Sequence, residues 1–363
     1  MSGTIKKIIV VVVIVIVAAA AYFYFVYSTR LQSIGSIQKV TNYEDYNVYS
    51  MEIKYDYSID DLVSRGLGDT QSMINSIVKE ALPMLPVKVN VPSFGCSAFA
   101  VKDTDGDALM GRNYDFKYDT SAMMVYCAPK DGYKSVAFAA LNNVGADDPE
   151  ASITKKMTCL TAPFICLDGM NEKGVSIAVL TLDSEPTLQQ TGKPVIATSI
   201  AIRLVLDKAA TTEEAVELLK GYDMYAANGR DYHFYITDAS GDGRVIEYDC
   251  NSETREMVVT PNRAVTNFFV MYEDKVLPNQ HNDPYGHGRE RYDAMEEIFA
   301  ANESAITKDV AWEALKAAAQ DPNPNDVTSN TQWTILYDNS TLTGEAILRR
   351  HWDDAPVSFG ITR

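Results

Sequence analysis

Twenty consecutive residues near the start of the chain, Ile8 to Tyr27 (IIVVVVIVIVAAAAYFYFVY), carry no charge and almost no polar atom. In lipid such a run must satisfy its own backbone N–H and C=O groups, and a helix of about 20 residues spans the hydrocarbon core. Lys6 and Lys7 precede the run and Arg30 follows it. The two lysines and the terminal amine outweigh Arg30, which favours the N-terminus inside and the body of the protein outside. Ala18 to Ala21 offer small residues, so a cleaved signal peptide is the alternative. Against it, Tyr22-Phe23-Tyr24-Phe25-Val26-Tyr27 continues the apolar run as an interfacial belt would. No cysteine precedes Cys96, so no lipoprotein attachment cysteine lies upstream of it. The expectation is a single-pass cell-membrane protein whose main domain is extracytoplasmic.

The remainder is ordinary globular sequence. Of the 363 residues, 46% are hydrophobic and 22% charged, enough to build a large core. The formal net charge of −17 excludes nucleic acid as a partner, because phosphates would be repelled. Five cysteines, at 96, 127, 159, 166 and 250, form no CxxC pair, which argues against structural zinc. Nothing points to an organic cofactor. Two acidic stretches imitate calcium loops. The one from Asp103 ends on Tyr114, which cannot ligate, and the one from Asp238 is flanked by strand patterns, which predict a hairpin turn.

The chain divides into three parts: an anchor over 1–30, a propeptide-like segment over 31–95, and a domain over 96–363. In the middle part, residues 38–57 are rich in Tyr, Val and Ile and predict strands. Asp69-Thr70 opens a helical stretch, TQSMINSIVKEALPML, which Pro83 and Pro86 end, and extended chain leads on to Cys96. From Cys96 onward strands dominate. Helices are expected at Pro194–Ala209, Thr212–Leu219, Arg289–Ala301 and Lys308–Gln320. Strands at both ends with helix pairs between them predict an α+β sandwich of two packed sheets with helices outside.

The chemistry centres on Cys96, in Pro92-Ser93-Phe94-Gly95-Cys96-Ser97-Ala98-Phe99. The acidic turn Asp103-Thr104-Asp105-Gly106-Asp107 predicts a hairpin returning through Gly111-Arg112-Asn113-Tyr114-Asp115. A thiol must lose its proton to attack, and a neighbouring cation favours that loss. Nothing in the sequence places any of the four histidines beside Cys96.

These residues resemble the choloylglycine hydrolase (linear amide C–N hydrolase) family. The likeness rests on Cys96-Ser97-Ala98-Phe99, Gly106 to Asp115, Asp168-Gly169-Met170-Asn171-Glu172-Lys173-Gly174, Val265-Thr266-Asn267, Arg289-Glu290-Arg291-Tyr292 and Thr331 to Asp338, in that order. The resemblance implies the four-layer αββα fold of N-terminal-nucleophile hydrolases, with Cys96 as first residue of the mature enzyme. It implies a small-molecule N-acyl amide substrate and an acyl-thioester on Cys96 after scission of Gly95–Cys96.

By the same resemblance Arg112 favours the thiolate, Asp115 orients the α-amino group, and Asn267 serves the oxyanion hole. Arg291 supports the site electrostatically. Thr181 stands where bile-salt hydrolases have an asparagine, which leaves its main-chain N–H for the oxyanion hole and puts bile-salt specificity in doubt. An N-terminal cysteine would carry its own base, an α-amine with an unperturbed pKa of about 8. Two other readings stand beside the amidase: an inactive surface protein that binds an acylated ligand, and an acyltransferase with the same nucleophile. Asn171 and Gly174 read as a turn between strands.

Overall fold

The structure, a computed structural model, describes residues 3–65, 67–83, 95–226, 229–281, 283–326 and 328–361. The extended approach expected between Pro86 and Cys96 lies, up to Phe94, outside the described residues.

Helix α1 (Gly3–Gly35) runs for 33 residues, beyond the apolar stretch at both ends, and is long and apolar enough to cross a membrane. Its last turns enter the protein. Tyr27 is buried and donates to the Pro83 carbonyl, and the Ser33 hydroxyl accepts from the Lys54 N–H at 2.7 Å. Helix α2 (Ile59–Ser64) is N-capped by Ser58, and α3 (Thr70–Ala81) by an Asp69–Ser72 capping box. The Arg30 guanidinium donates to the Ala81 and Glu80 carbonyls at 2.8 and 2.6 Å. These carbonyls lie in the last turn of α3, where no intrahelical donor is left, and the cation also suits the negative end of the helix.

Two sheets make the body. The first has nine strands. These are β1 (Gln38–Lys39), β2 (Val48–Glu52), β5 (Ala122–Cys127), β6 (Ser135–Ala140), β7 (Asp168–Asn171), β8 (Ser176–Leu182), β11 (Asp231–Thr237), β12 (Arg244–Tyr248) and β13 (Met257–Pro261), in that spatial order. The second has six, ordered β14 (Ala264–Val265), β3 (Gly95–Lys102), β4 (Ala108–Asp115), β15 (Thr331–Asp338), β16 (Thr343–Leu348) and β17 (Val357–Gly360). Helices α5 (Thr198–Lys208) and α6 (Thr212–Lys220) cover the first sheet, and α7 (Arg289–Ala301) and α8 (Lys308–Ala318) cover the second. The layers are therefore αββα. One apolar core lies between the sheets and continues under α5, and a smaller one, holding Phe99, Leu109, Phe299 and Leu315, lies under α7 and α8.

The strand periodicity between 95 and 140 and between 231 and 261 is realised within one or two residues. One helix starts later than expected. Residues 195–197 form β9, paired in parallel with β10 (Asp223–Tyr225), and α5 begins only at Thr198. Pro194 contributes no N–H, and its carbonyl accepts from Asp223 at 2.9 Å, which draws the segment into an extended pair. Short strands such as β7, β9, β10 and β14 have too few residues to show a period.

The turn at Asn171–Gly174 joins β7 to β8. The Asn171 side chain accepts from the N–H groups of Lys173 and Val175 and donates to the Leu206 and Ala209 carbonyls, so it ties the turn to the end of α5. Gly174 has φ +79°, and a Cβ there would meet the Asn339 carbonyl oxygen at 2.4 Å. Gly174→Ala is expected to lower stability by about 1–3 kcal/mol, measured as a reduced denaturant midpoint with an unchanged m-value.

Candidate active site

The site is assembled by strand register. In the β3–β4 hairpin Cys96 pairs with Tyr114, Ala98 with Arg112 and Gly95 with Asp115. The turn is closed by the Asp103 carboxylate, which accepts from the Asp105 and Asp107 N–H groups at 2.9 Å. Side chains of alternate residues share a face, so Cys96 and Arg112 both point between the sheets, on a diagonal that a long side chain can bridge. On the other side of β3, β14 pairs Ala264 with Phe99 and Val265 with Ala98. Continuing that register by two residues brings Asn267 level with Cys96.

The contacts follow. The Cys96 N–H donates to Asn267 Oδ1 at 2.9 Å, and Arg291 donates to the same oxygen at 2.8 Å and to the Cys96 carbonyl at 2.9 Å. Asn267 Nδ2 donates to the Thr181 carbonyl at 2.8 Å, across to the other sheet. With its oxygen taken by two donors and one N–H given to Thr181, the amide keeps one N–H for another acceptor. Arg291 reaches the site from the first turn of α7. The residue before that helix, Gly288, has φ +85°, and a Cβ on it would lie 2.3 Å from the Arg291 guanidinium. Only glycine leaves that guanidinium room to fold back.

The Cys96 side chain is fully buried, near the Arg112 guanidinium and the Asp115 main-chain N–H, both of which favour the thiolate. Burial dominates and pushes the thiol up to about 12, although Arg112 pulls it down. In the uncut chain Cys96 is therefore a neutral thiol at pH 7. Arg112 is held on three sides: it donates to the Val179 and Asn113 carbonyls at 2.8 and 2.9 Å and faces Asp168 at 3.4 Å. Asp115 accepts from the Thr331 hydroxyl at 2.6 Å and from Gln320 at 2.8 Å, with Arg291 3.6 Å away. Burial raises the Asp115 carboxyl, and Arg291, Thr331, Gln320 and Arg112 oppose that rise.

Cys96, Arg112, Asp115, Asn267 and Arg291 thus surround one point between the sheets. Thr181 joins them through its carbonyl. Among the described residues no histidine ring is hydrogen-bonded to Cys96. The His287 ring, whose main-chain N–H donates to the Asn267 carbonyl at 2.9 Å, is itself held elsewhere by Asp183 at 2.6 Å and Thr328 at 3.0 Å. No group of residues that could hold a metal ion occurs among the described residues.

Three participants were not singled out by sequence reasoning. Asp168, fully buried, accepts from Tyr337 at 2.6 Å and Trp333 at 3.1 Å and is the carboxylate that Arg112 faces. Gln320 and Thr331 hold Asp115. A sequence signal existed for Asp168: Trp333 and Tyr337 share one face of a strand, and buried indole and phenol donors need an acceptor. Gln320 had none, since it follows a helix and reaches Asp115 only through the folding of the chain.

Two sheets packed face to face, flanked by helices, with a cysteine at the head of a strand between them, define an N-terminal-nucleophile hydrolase fold. Known structures share it. The conjugated bile acid hydrolase from Clostridium perfringens, in two variant forms, aligns at 16% identity and a TM-score of 0.53, covering 73% of this chain and 92% of its own. The penicillin V acylase from Agrobacterium tumefaciens aligns at 17% identity and a TM-score of 0.50, covering 73% and 86%. At these identities the likeness is one of fold. Residues 96–266 match the linear amide C–N hydrolases, choloylglycine hydrolase family. No curated protein sequence matches it.

The polar cluster predicts its own fragility. Asp168→Asn leaves the buried Arg112 guanidinium without a compensating charge. The variant should lose about 3–5 kcal/mol of folding stability, read from chemical denaturation, while an exposed control such as Asp105→Asn should be neutral.

Proposed function

We propose that this protein is a membrane-anchored cysteine amidase that hydrolyses a linear N-acyl amide through an acyl-thioester on Cys96, after scission of the Gly95–Cys96 bond. One observation carries the reading: the backbone of Cys96 is fixed on both sides, its N–H by Asn267 and its carbonyl by Arg291, with its buried thiol on the face it shares with Arg112.

Scission comes first. The Cys96 thiol attacks the Gly95 carbonyl carbon, the C–N bond breaks, and the resulting thioester is hydrolysed by water. The nitrogen that donated to Asn267 as an amide is then a primary amine with a lone pair. Asp115 stands opposite Gly95 in the strand register, so the departure of Gly95 leaves the new amine facing that carboxyl.

Turnover uses the amine as base. It takes the thiol proton, directly or through a water, and the thiolate attacks the substrate carbonyl carbon. The oxygen of the tetrahedral intermediate accepts the remaining Asn267 N–H. The ammonium returns the proton to the leaving amine, and water releases the acid from the thioester. Arg112 favours the thiolate against the strong effect of burial, and Asp168 keeps Arg112 in position.

Localisation follows from α1. Lys6 and Lys7, ahead of its apolar run, favour a cytoplasmic N-terminus with the catalytic domain outside. The substrate is a small N-acyl amide, and a panel that includes conjugated bile salts tests whether Thr181, in place of an asparagine, excludes them.

Mass spectrometry of the purified protein should find a new N-terminus at Cys96. Cys96→Ala should show neither the cut nor turnover. Uncut wild-type chain that turns over amides would overturn the mechanism, and uncut chain that only binds acylated ligands would favour the inactive relative. Asn267→Ala, assayed on cut material, should lower kcat by about 10²–10³-fold.

A further inference from the structure

Upstream of Cys96, the described residues from the last turns of α1 through α3 pack as part of the main body. We infer that after scission residues 1–95 stay bound as a non-covalent subunit, and that this interface, with no covalent link, holds the catalytic chain at the membrane. The inference rests on the cleavage proposed above and goes beyond it.

The central contact is β2, which lies in parallel against β5 over five residue pairs, from Val48–Ala122 to Glu52–Tyr126. The pairing continues past the strand, with the Ile53 N–H donating to the Tyr126 carbonyl at 2.8 Å. No hairpin ties the two strands, so their association does not depend on the bond at Gly95–Cys96. If β2 left, β5 would become an open edge with unpaired N–H and C=O groups, and the apolar surface that meets Met51 would be bared. Met51, Leu62, Leu67, Met73 and Ile77 are all fully buried, in the same core cluster as Cys96.

Directional contacts cross the boundary as well. The Tyr55 hydroxyl donates to the Leu160 carbonyl at 2.6 Å, and the Tyr57 hydroxyl to the Asp207 carboxylate at 3.2 Å. The Asn47 N–H donates to the Ser121 hydroxyl at 3.0 Å. Each partner is itself buried, so losing the fragment would cost the Leu160 carbonyl and the Ser121 hydroxyl these bonds and leave Asp207 with Arg203 but without Tyr57.

The membrane helix belongs to the same side of the cut. Through Tyr27, Arg30 and Ser33 it is fastened to Pro83, to the end of α3 and to Lys54. The apolar helix is thus continuous with β2 and α3, and among the described residues the single helix long and apolar enough to span is Lys7–Gly35, upstream of the cut. Retention at the membrane becomes a property of packing, reversible by whatever loosens β2.

The test uses membranes from cells expressing the full chain with a C-terminal tag. Wild type is compared with a Cys96→Ala chain carrying a site-specific protease sequence inserted after Val87, cut in the membranes. In both, the tagged fragment that begins after the cut should pellet with the membranes through a high-salt wash. It should move to the supernatant in urea while residues 1–95 stay behind. Met51→Asp should shift the cut chain to the supernatant without urea. The milder pair Tyr55→Phe and Tyr57→Phe, which keeps both rings, should lower the urea concentration needed. A cut chain that washes off wild-type membranes in salt alone, folded and soluble, would overturn the inference. A single uncut band in wild type would instead count against the proposed scission, and the protease-cut variant would still decide retention.

Discussion

Two side chains bridge the sheets at the head of β3, and the site depends on them. Arg112, from the six-stranded sheet, donates to the Val179 carbonyl of the nine-stranded one and faces Asp168 there. Asn267, beside β3, donates to the Thr181 carbonyl. Both acceptors lie on β8, two residues apart, so one strand of the far sheet sets the positions of both donors. Trp333 and Tyr337 also reach Asp168 from the six-stranded sheet, and the apolar side chains packed around these bridges have no preferred orientation. Hydrogen bonds do, and they fix the relative slide of the layers where Cys96 requires it.

Buried charge is the cost of this arrangement. Arg112, Asp115 and Asp168 are all fully buried. Each is compensated by several partners: Asp168 by an indole, a phenol and a guanidinium, Asp115 by a hydroxyl, an amide and the second arginine. Pairs of this kind add little net stability compared with apolar packing. Their retention is better explained by what they do to the sulfur. Burial alone would keep the thiol protonated, and a fixed guanidinium beside it works in the opposite direction.

The segment before Cys96 is built into the architecture of the main domain. Its helices are capped by their own sequence, with Ser58 and Asp69 at their starts, so they form without help from downstream. Its strand does not. An isolated five-residue strand gains nothing until it pairs, and β2 finds its partner in β5, about 70 residues further on in the chain. The nine-stranded sheet therefore needs both sides of the Gly95–Cys96 bond to be complete.

Much of this was legible in the linear chain. Helix α1 shows as an unbroken apolar run, the β3–β4 hairpin as two strand patterns about an Asp–Gly turn, and α7 as a period of 3.6 from Arg289. The six residues assigned by family likeness, Cys96, Arg112, Asp115, Thr181, Asn267 and Arg291, can be read by order of motifs alone. The sequence by itself determined which residues carry reactive groups and which short segments are helix or strand, because those properties depend on neighbours within a turn or two. Tertiary structure alone decided that Asp168 faces Arg112, that Gln320 and Thr331 hold Asp115, that Pro194 opens a strand, and that β2 completes the sheet of the catalytic domain. Those pairings join residues 29 to 216 positions apart, and their energy comes from burial and register, which no local pattern encodes.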